Sequence, residues 1–190
     1  MTPDDDVAIM RRVQAGEVDL FERLVVRYRP VLLRVAGSKL GNESWAEDVV
    51  QETFLAAFVA RHTYRPQFAF RTWLWTILLN LCRKQWQRQA RRPASVSLSG
   101  AATADQPALV SFDSGLSVLL QAERQAKVHG LLHQLDEPLA DALRLRFFGE
   151  LSYEEIAVTM RSSVSGAKQR VRRGLDRLAN LIHEQSGELT

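Results

Sequence analysis

Between Glu52 and Asp105 the chain carries no Asp or Glu, while Arg61, Arg65, Arg71, Arg83, Lys84, Arg88, Arg91 and Arg92 all fall in that gap. Tyr64, Phe68, Phe70, Trp73, Trp75 and Trp86 are interleaved with them. Cations meet phosphates and flat rings meet base faces, so this combination suits a polyanion with unstacked bases, that is, single-stranded nucleic acid. The same residues have a plainer reading. Trp73, Leu74, Ile77, Leu78 and Leu81 recur at helical spacing, which makes most of the large side chains core candidates. An Arg-rich helix end is favoured by the macrodipole alone. Composition does not separate the two, because a basic patch reports electrostatics and not fold.

A second basic array lies near the C-terminus. Ser152-Tyr153-Glu154-Glu155 has the form of a capping box opening a short helix through Ile156, Ala157 and Met160. After a turn at Arg161-Ser162-Ser163, a last helix is predicted from Val164 to about His183, carrying Lys168, Arg170, Arg172, Arg173 and Arg177. Two helices joined by a short polar turn, the second one basic, read as a helix-turn-helix. On a helical wheel Val164, Ala167, Val171, Leu175, Leu178 and Ile182 form the apolar stripe, so Gln169 and Arg173 point away from the core, flanked by Lys168 and Arg172. In the major groove Arg and Lys pair with guanine and Gln with adenine. A structural helical hairpin with a solvated basic face is the competing account.

Other chemistry finds little support. His129 and His133 sit one helical turn apart, but the Gly-Leu-Leu after Val128-His129 offers no catalytic Glu and the spacing suggests no third ligand. Gly-rich phosphate loop, nucleophile elbow and spaced Cys-His pairing are all missing, so no catalytic residue, metal or cofactor is expected. The single cysteine, Cys82, rules out a disulfide framework and fits a reducing compartment, which points to the cytoplasm. The acidic start Met1-Thr2-Pro3-Asp4-Asp5-Asp6 is no signal peptide, and no apolar run reaches membrane-spanning length, so no membrane insertion is expected.

The elements that position these residues are all helical. Val7, Ile9, Met10 and Val13 predict a short amphipathic helix stopped near Gly16. Leu20 to Gly41 continues the pattern, with a kink or restart expected at Pro30. Asn42 and Ser44 are candidate N-caps, with Glu47 completing a capping box on Ser44, for a helix from Ala46 to His62. Along it Val49, Thr53, Ala56, Ala57 and Ala60 are placed toward a core, and Asp48, Gln51, Glu52 and Leu55 elsewhere. Tyr64-Arg65-Pro66-Gln67 breaks the chain before a long helix from Phe70 to Gln89.

From Pro93 to Gly115 the composition shifts to Ser, Ala, Gly and Pro without a sustained period, as in a linker able to extend to roughly 75 Å. Helical periodicity resumes from Leu116 to Leu135, and a helix from Leu139 to Phe148 is expected to end on a left-handed Gly149. The expectation is thus an all-α protein of two small domains, residues 1–92 and 116–190, with a flexible linker over 93–115. The net charge of +3 and pI near 9.3 fit a partner that is an anion, although the first 52 residues are acidic.

In this order the two halves resemble the extracytoplasmic-function group of bacterial RNA polymerase sigma factors. AEDVVQETFLAAF is similar to the family's helix that grips core polymerase, FRTWLWTILLNLCRKQWQRQAR to its minus-10 reading and melting helix, and LRLRFFGELSYEEIAVTMRSSVSGAKQRVRRGLDRL to its minus-35 reading domain. The resemblance implies that Asp48, Gln51, Glu52 and Leu55 meet core RNA polymerase. It implies that Asn80, Arg83 and Lys84 lie on the melted strand of promoter DNA, with the loop from Tyr64 through Arg65 to Phe70 near an extruded base. It implies that Lys168, Gln169, Arg172 and Arg173, with Arg170 beside them, read the minus-35 duplex. An anti-sigma protein is an implied partner. The chain departs from the family pattern at Ser165-Gly166-Ala167 and Arg173-Gly174-Leu175, and a mid-helix glycine costs about 1 kcal/mol relative to alanine, so a looser recognition helix is expected. The rival is a stand-alone helix-turn-helix transcriptional regulator, which leaves the acidic and the aromatic-basic helices without a task.

Overall fold

The structure, a computed structural model, describes residues 3–90 and 126–187. The linker expectation for 93–115 lies outside those residues, as does the first part of the helix expected from Leu116. All described regular structure is helical. The first half comprises α1 (Pro3–Gln14), a 3-10 turn at Val18–Leu20, α2 (Phe21–Leu40), α3 (Glu43–Val59), a second 3-10 turn at Ala60–Thr63 and α4 (Phe70–Ala90). The second comprises α5 (described over 126–133), α6 (Glu137–Leu143) continued by a π-helical turn at Arg144–Phe148, α7 (Tyr153–Thr159) and α8 (Val164–Gly187).

The helical bundle of the first half closes over Met10, Leu24, Leu32, Val35, Phe70, Leu74, Trp75 and Leu78, all fully or almost fully buried. Burying one such aliphatic side chain contributes about 1.5–3 kcal/mol, against about 0–1 kcal/mol for an exposed pair such as Arg29–Glu47 at 3.3 Å, so the apolar stripes and not the surface ion pairs hold the bundle. Phe21 meets Phe58 edge-on at 5.3 Å and Phe54 at 6.5 Å, fixing α3 against the start of α2. Asp6, buried at the N-terminal end, is held by the Arg27 guanidinium and the Tyr28 hydroxyl. The second half closes over Leu143, Leu145, Leu151, Ile156, Ala167 and Val171.

The two halves pack on each other through charged groups taken out of solvent. Lys39 of α2 lies 2.6 Å from Asp141 and 2.8 Å from Glu137, both on α6. Arg144 donates to Ser38 Oγ at 3.2 Å and pairs with Asp141 at 3.4 Å. Arg71 of α4 donates to the Gly149 carbonyl and lies 3.7 Å from Glu155. At one end Trp86 and His133 stack with ring centres 6.1 Å apart. The halves are distinct bundles, yet this contact is continuous with both cores.

Several local expectations are corrected. Helix α2 runs through Pro30 without a break. Asn42 alone caps α3, its side-chain oxygen accepting from the Trp45 N–H at 3.0 Å, and Ser44 lies inside the helix, so no box forms with Glu47. Gly149 has φ −83°, in the right-handed region; Glu150 takes the left-handed conformation instead, at φ 56°. What Gly149 supplies is a close approach: a Cβ there would lie 2.8 Å from the Leu145 carbonyl oxygen. That proximity follows from the π turn, in which the Gly149 N–H bonds the Arg144 carbonyl at 2.9 Å. The Ser152–Glu155 capping box is present as expected.

Candidate nucleic-acid interface

Helix α3 is an apolar helix with one outward face. Ala46, Val49, Val50, Thr53, Phe54 and Ala57 are buried, and the Thr53 hydroxyl is spent on the Val49 carbonyl at 2.7 Å. The spacing of those residues leaves Asp48 and Gln51 exposed, Glu52 half-buried, and Leu55 61% exposed. Val59, one turn beyond Leu55 and 67% exposed, extends the same face and was not singled out by the sequence reading. Its signal was available: an apolar residue four positions after another on the side opposite the core. Exposed aliphatics rimmed by polar and acidic groups have the anatomy of a protein-binding surface.

The loop entering α4 behaves differently from expectation. Tyr64 is 3% exposed and Phe70 1%, so both rings belong to the core and neither is displayed to a base. Tyr64 donates its hydroxyl to the Phe68 carbonyl at 2.6 Å and its ring meets Phe70 at 5.9 Å and Trp73 at 5.3 Å. Burial pushes the Tyr64 hydroxyl pKa above its ordinary value, so it stays a donor. Gln14 of α1 anchors the other side, donating to the Arg61 and Tyr64 carbonyls at 2.8 and 2.9 Å. This scaffold leaves Arg65 and Phe68 at the surface, Phe68 52% exposed.

On α4, Asn80, Arg83 and Lys84 are exposed along one side, with Asn80 Oδ1 accepting from Arg83 at 3.3 Å. Trp75 is fully buried, whereas Trp86 is 53% exposed. Of the aromatic residues that suggested base stacking, therefore, Phe68 and Trp86 are exposed, and Tyr64, Phe70 and Trp75 are structural. Cys82 is buried and its thiol pKa is pushed up to about 12, first by desolvation, which keeps it protonated and unreactive.

Helix α8 begins with Ser163 Oγ accepting from the Gly166 N–H at 3.0 Å. Lys168, Gln169, Arg172 and Arg173 are exposed, as the wheel predicts, and Arg170 is half-buried. Tyr153 of α7 sits beneath the basic side, with Lys168 Nζ 5.7 Å and Arg146 5.0 Å from its ring centre. The inward stripe is rotated from the predicted one. Leu175 and Ile182 are 44% and 46% exposed, while Gly174 and Leu181 are buried. Gly174 is where α8 approaches α6, since a Cβ there would lie 2.9 Å from Leu143 Cδ1. The glycine expected to loosen the recognition helix is a packing point.

Asn80 and Arg83 meet Arg161 and Arg170 across the cleft between the halves, whereas Lys168, Gln169, Arg172 and Arg173 are on the outer side of α8. His129 is half-buried near Phe148 and His133 stacks on Trp86; no group of His, Cys, Asp or Glu suited to a metal occurs among the described residues. No helix of the described residues is long and apolar enough to cross a membrane.

Residues 24–92 match the Sigma-70 region 2 family and residues 125–178 match Sigma-70 region 4. The chain is 33% identical over 174 residues to the RNA polymerase sigma-H factor of Pseudomonas aeruginosa, covering 90% of each. It is 31% identical over 182 residues to the ECF RNA polymerase sigma-E factor of Haemophilus influenzae, covering 93% of this chain and 95% of that one. Among solved structures it is similar to CnrH in complex with the cytosolic domain of CnrY, with a TM-score of 0.71, 25% identity, and coverage of 94% and 97%. The sigma factor RpoE from Bartonella quintana, solved with the anti-sigma factor NepR, shares the fold at a TM-score of 0.62 and 23% identity, with coverage of 86% and 96%. With both regions present in this order on two helical units, the chain belongs to the extracytoplasmic-function group of RNA polymerase sigma factors, which direct promoter-specific transcription.

Proposed function

We propose that this sigma factor divides its work among three helical faces. Asp48, Gln51, Glu52 and Leu55, extended by Val59, dock core RNA polymerase. Asn80, Arg83 and Lys84, with Arg65 and the exposed Phe68, engage the minus-10 strand, while Tyr64 and Phe70 shape the loop from within. Lys168, Gln169, Arg172 and Arg173 read the minus-35 duplex, and half-buried Arg170 supports them from the side. The observation that carries this reading is the separation of an acidic, apolar outward face on α3 from an acid-free outward face on α4 and a predominantly basic one on α8, where Asp176 is the acid among Lys168, Arg172 and Arg173. Opposite charge on separate helices suits a molecule that bridges a protein and a polyanion.

Residues 1–92 and 116–190 form the two working units of this proposal, joined by 93–115. Strand opening requires a few kcal/mol of unpairing energy, which stacking and phosphate contacts offset. No residue of the chain is assigned a catalytic step; nucleotide addition belongs to the polymerase, and the site of action is the cytoplasm. The Bartonella neighbour was solved with an anti-sigma factor, and we extend that class of partner to this chain. Run-off transcription with purified core polymerase on genomic promoter fragments tests the reading. Discrete, promoter-dependent transcripts are expected; duplex binding by the free protein with no effect on core polymerase would favour a stand-alone regulator.

A further inference from the structure

Among the described residues, the ion pairs that join the two halves run one way. Arg34 and Lys39 of α2 and Arg71 of α4 supply the cations. Glu137, Asp141, Glu150 and Glu155 of the second half supply the carboxylates, at 2.8, 2.6, 3.6 and 3.7 Å. The sequence explains the asymmetry: α2 has no Asp or Glu after Glu22, and α4 has none at all. The face that α2 and α4 turn toward the second half is therefore cationic in its own right, and the second half neutralises it.

That cover has to lift for the chain to work as proposed above. In the packed chain α4 and α8 border one cleft, with Asn80 and Arg83 across from Arg170. Minus-10 and minus-35 elements lie roughly 25 base pairs apart, about 85 Å along the duplex. Helices that share a cleft cannot span this distance, so engaging both elements parts the halves and uncovers Arg34, Lys39 and Arg71 together. The uncovered face runs on into the strand side of α4. Arg71 lies in the first turn of the helix that carries Asn80, Arg83 and Lys84, and Glu137, held by Lys39, also feels the charge of Arg83.

We propose that Arg34, Lys39 and Arg71 form a second DNA-backbone site on the first half, covered by carboxylates of the second half in the packed chain and occupied by promoter phosphates once the halves part. The proposal rests on the strand assignment to α4 and extends it. A guanidinium fork receives carboxylate and phosphate oxygens in the same geometry, so Glu150 and Glu155 stand where phosphates would bind. An acidic protein segment would meet the same cations, but continuity with the acid-free α4 favours nucleic acid. The second half and DNA thus compete for one face.

Fluorescence anisotropy of a labelled single-stranded oligonucleotide against the full chain, followed over a range of salt, tests the site. Glu137→Gln with Glu150→Asn removes two exposed carboxylates of the cover, and Asn suits the backbone held at φ 56° at position 150. This variant is expected to bind about threefold tighter or more than wild type. Glu22→Gln with Glu43→Gln removes the same charge away from the contact and is expected to change affinity less. Asp141→Asn, which leaves Lys39 without its nearest carboxylate, is a second way to lift the cover. In the Glu137/Glu150 background, Arg34→Gln and Arg71→Gln are each expected to lower the salt slope by roughly one. Circular dichroism of each variant checks folding.

The proposal is overturned if neither covering variant binds more tightly than the Glu22/Glu43 control, if both arginine variants keep the full salt slope, or if polyglutamate of equal charge displaces the oligonucleotide as well as unlabelled DNA does. Weakened binding by Lys84→Ala alongside unchanged slopes for Arg34→Gln and Arg71→Gln would reject this site and keep the strand reading of α4. Reduced slopes at Arg34 and Arg71 with no effect of Lys84→Ala would support this site and reject that reading.

Discussion

Lys39 Nζ stands 2.6 Å from Asp141 Oδ1, and with side chains only 6% and 4% exposed the two residues join the halves of the chain across a buried ion pair. Removing one partner from a buried pair typically costs about 3–5 kcal/mol, because the other charge is left without compensation. Arg144 stays 3.4 Å from Asp141, which puts Lys39→Met toward the lower end, about 3 kcal/mol. Glu137, 56% exposed, is the solvated arm of the same network, and Glu137→Gln is expected to cost at most about 1 kcal/mol. Chemical denaturation of the three proteins checks the order; equal stabilities would show that the contact between the halves carries no energy.

Two glycines discriminate between crowding and helix propensity. At Gly174 a methyl group gains about 1 kcal/mol of propensity but meets Leu143 Cδ1 at 2.9 Å and Cγ at 3.0 Å, and overpacking of this kind costs about 1–3 kcal/mol. Gly174→Ala is therefore expected to be destabilising by about 1 kcal/mol net. At Gly149 the obstruction is the Leu145 carbonyl oxygen at 2.8 Å, backbone that a rotamer change cannot move, so Gly149→Ala is expected to cost more than Gly174→Ala. A stabilised Gly174→Ala protein in thermal melts would restore the loose-helix interpretation.

Stability is expected to fall on mild acidification. Desolvation lowers the pKa of His129 and His133 below the ordinary 6.5, with Arg144 adding to the effect at both. The unfolded chain then binds more protons between the folded and unfolded values, so stability is fully present above about pH 6.5 and declines as pH drops below it. The Glu137 pKa is also lowered, first by its hydrogen bond from Lys39, but for a carboxyl this favours the charged form, and its contribution is lost only at more acid pH, below the ordinary 4.5. Melting temperature followed between neutral and mildly acid pH should show the first slope, and His129→Gln with His133→Gln should flatten it.

Base reading by α8 is expected to be separable from phosphate binding. Lys168→Ala or Arg172→Ala should cost about 1–3 kcal/mol on the preferred upstream site and relax preference at one base pair if the side chain reads a base. A phosphate contact would instead weaken all sites alike and reduce the salt slope by roughly one. Competition binding on a set of single-base variants distinguishes the two, and unchanged binding everywhere removes that residue from the interface.

Where a periodic signal and a local rule agree, the fold was legible. The outward set Asp48, Gln51, Glu52 and Leu55 follows from a helix whose other faces are apolar, and the Ser152–Glu155 box follows from a local hydrogen-bond pattern. The stripe on α8 was misread because Gly174 has no hydrophobic signal, yet its missing Cβ is what lets α6 approach and turns Leu175 outward. No sequence signal singles out Lys39, Asp141 and Arg144, since pairing between residues about a hundred positions apart leaves no periodicity. Tyr64 and Phe70 show the limit of type-based site reading: a ring suits a base and a core equally well, and burial decides.

The two-face account is tested most directly by permanganate footprinting of promoter thymines in complexes assembled from core polymerase and the full chain. Wild type is expected to render minus-10 thymines reactive. Asn80→Ala with Lys84→Ala should still assemble with core polymerase but lose that reactivity, whereas Gln51→Lys with Glu52→Lys should lose assembly itself while keeping its circular dichroism. Normal thymine reactivity from the folded Gln51/Glu52 variant, or loss of assembly from the Asn80/Lys84 variant, would contradict the assignment of these faces to polymerase and strand.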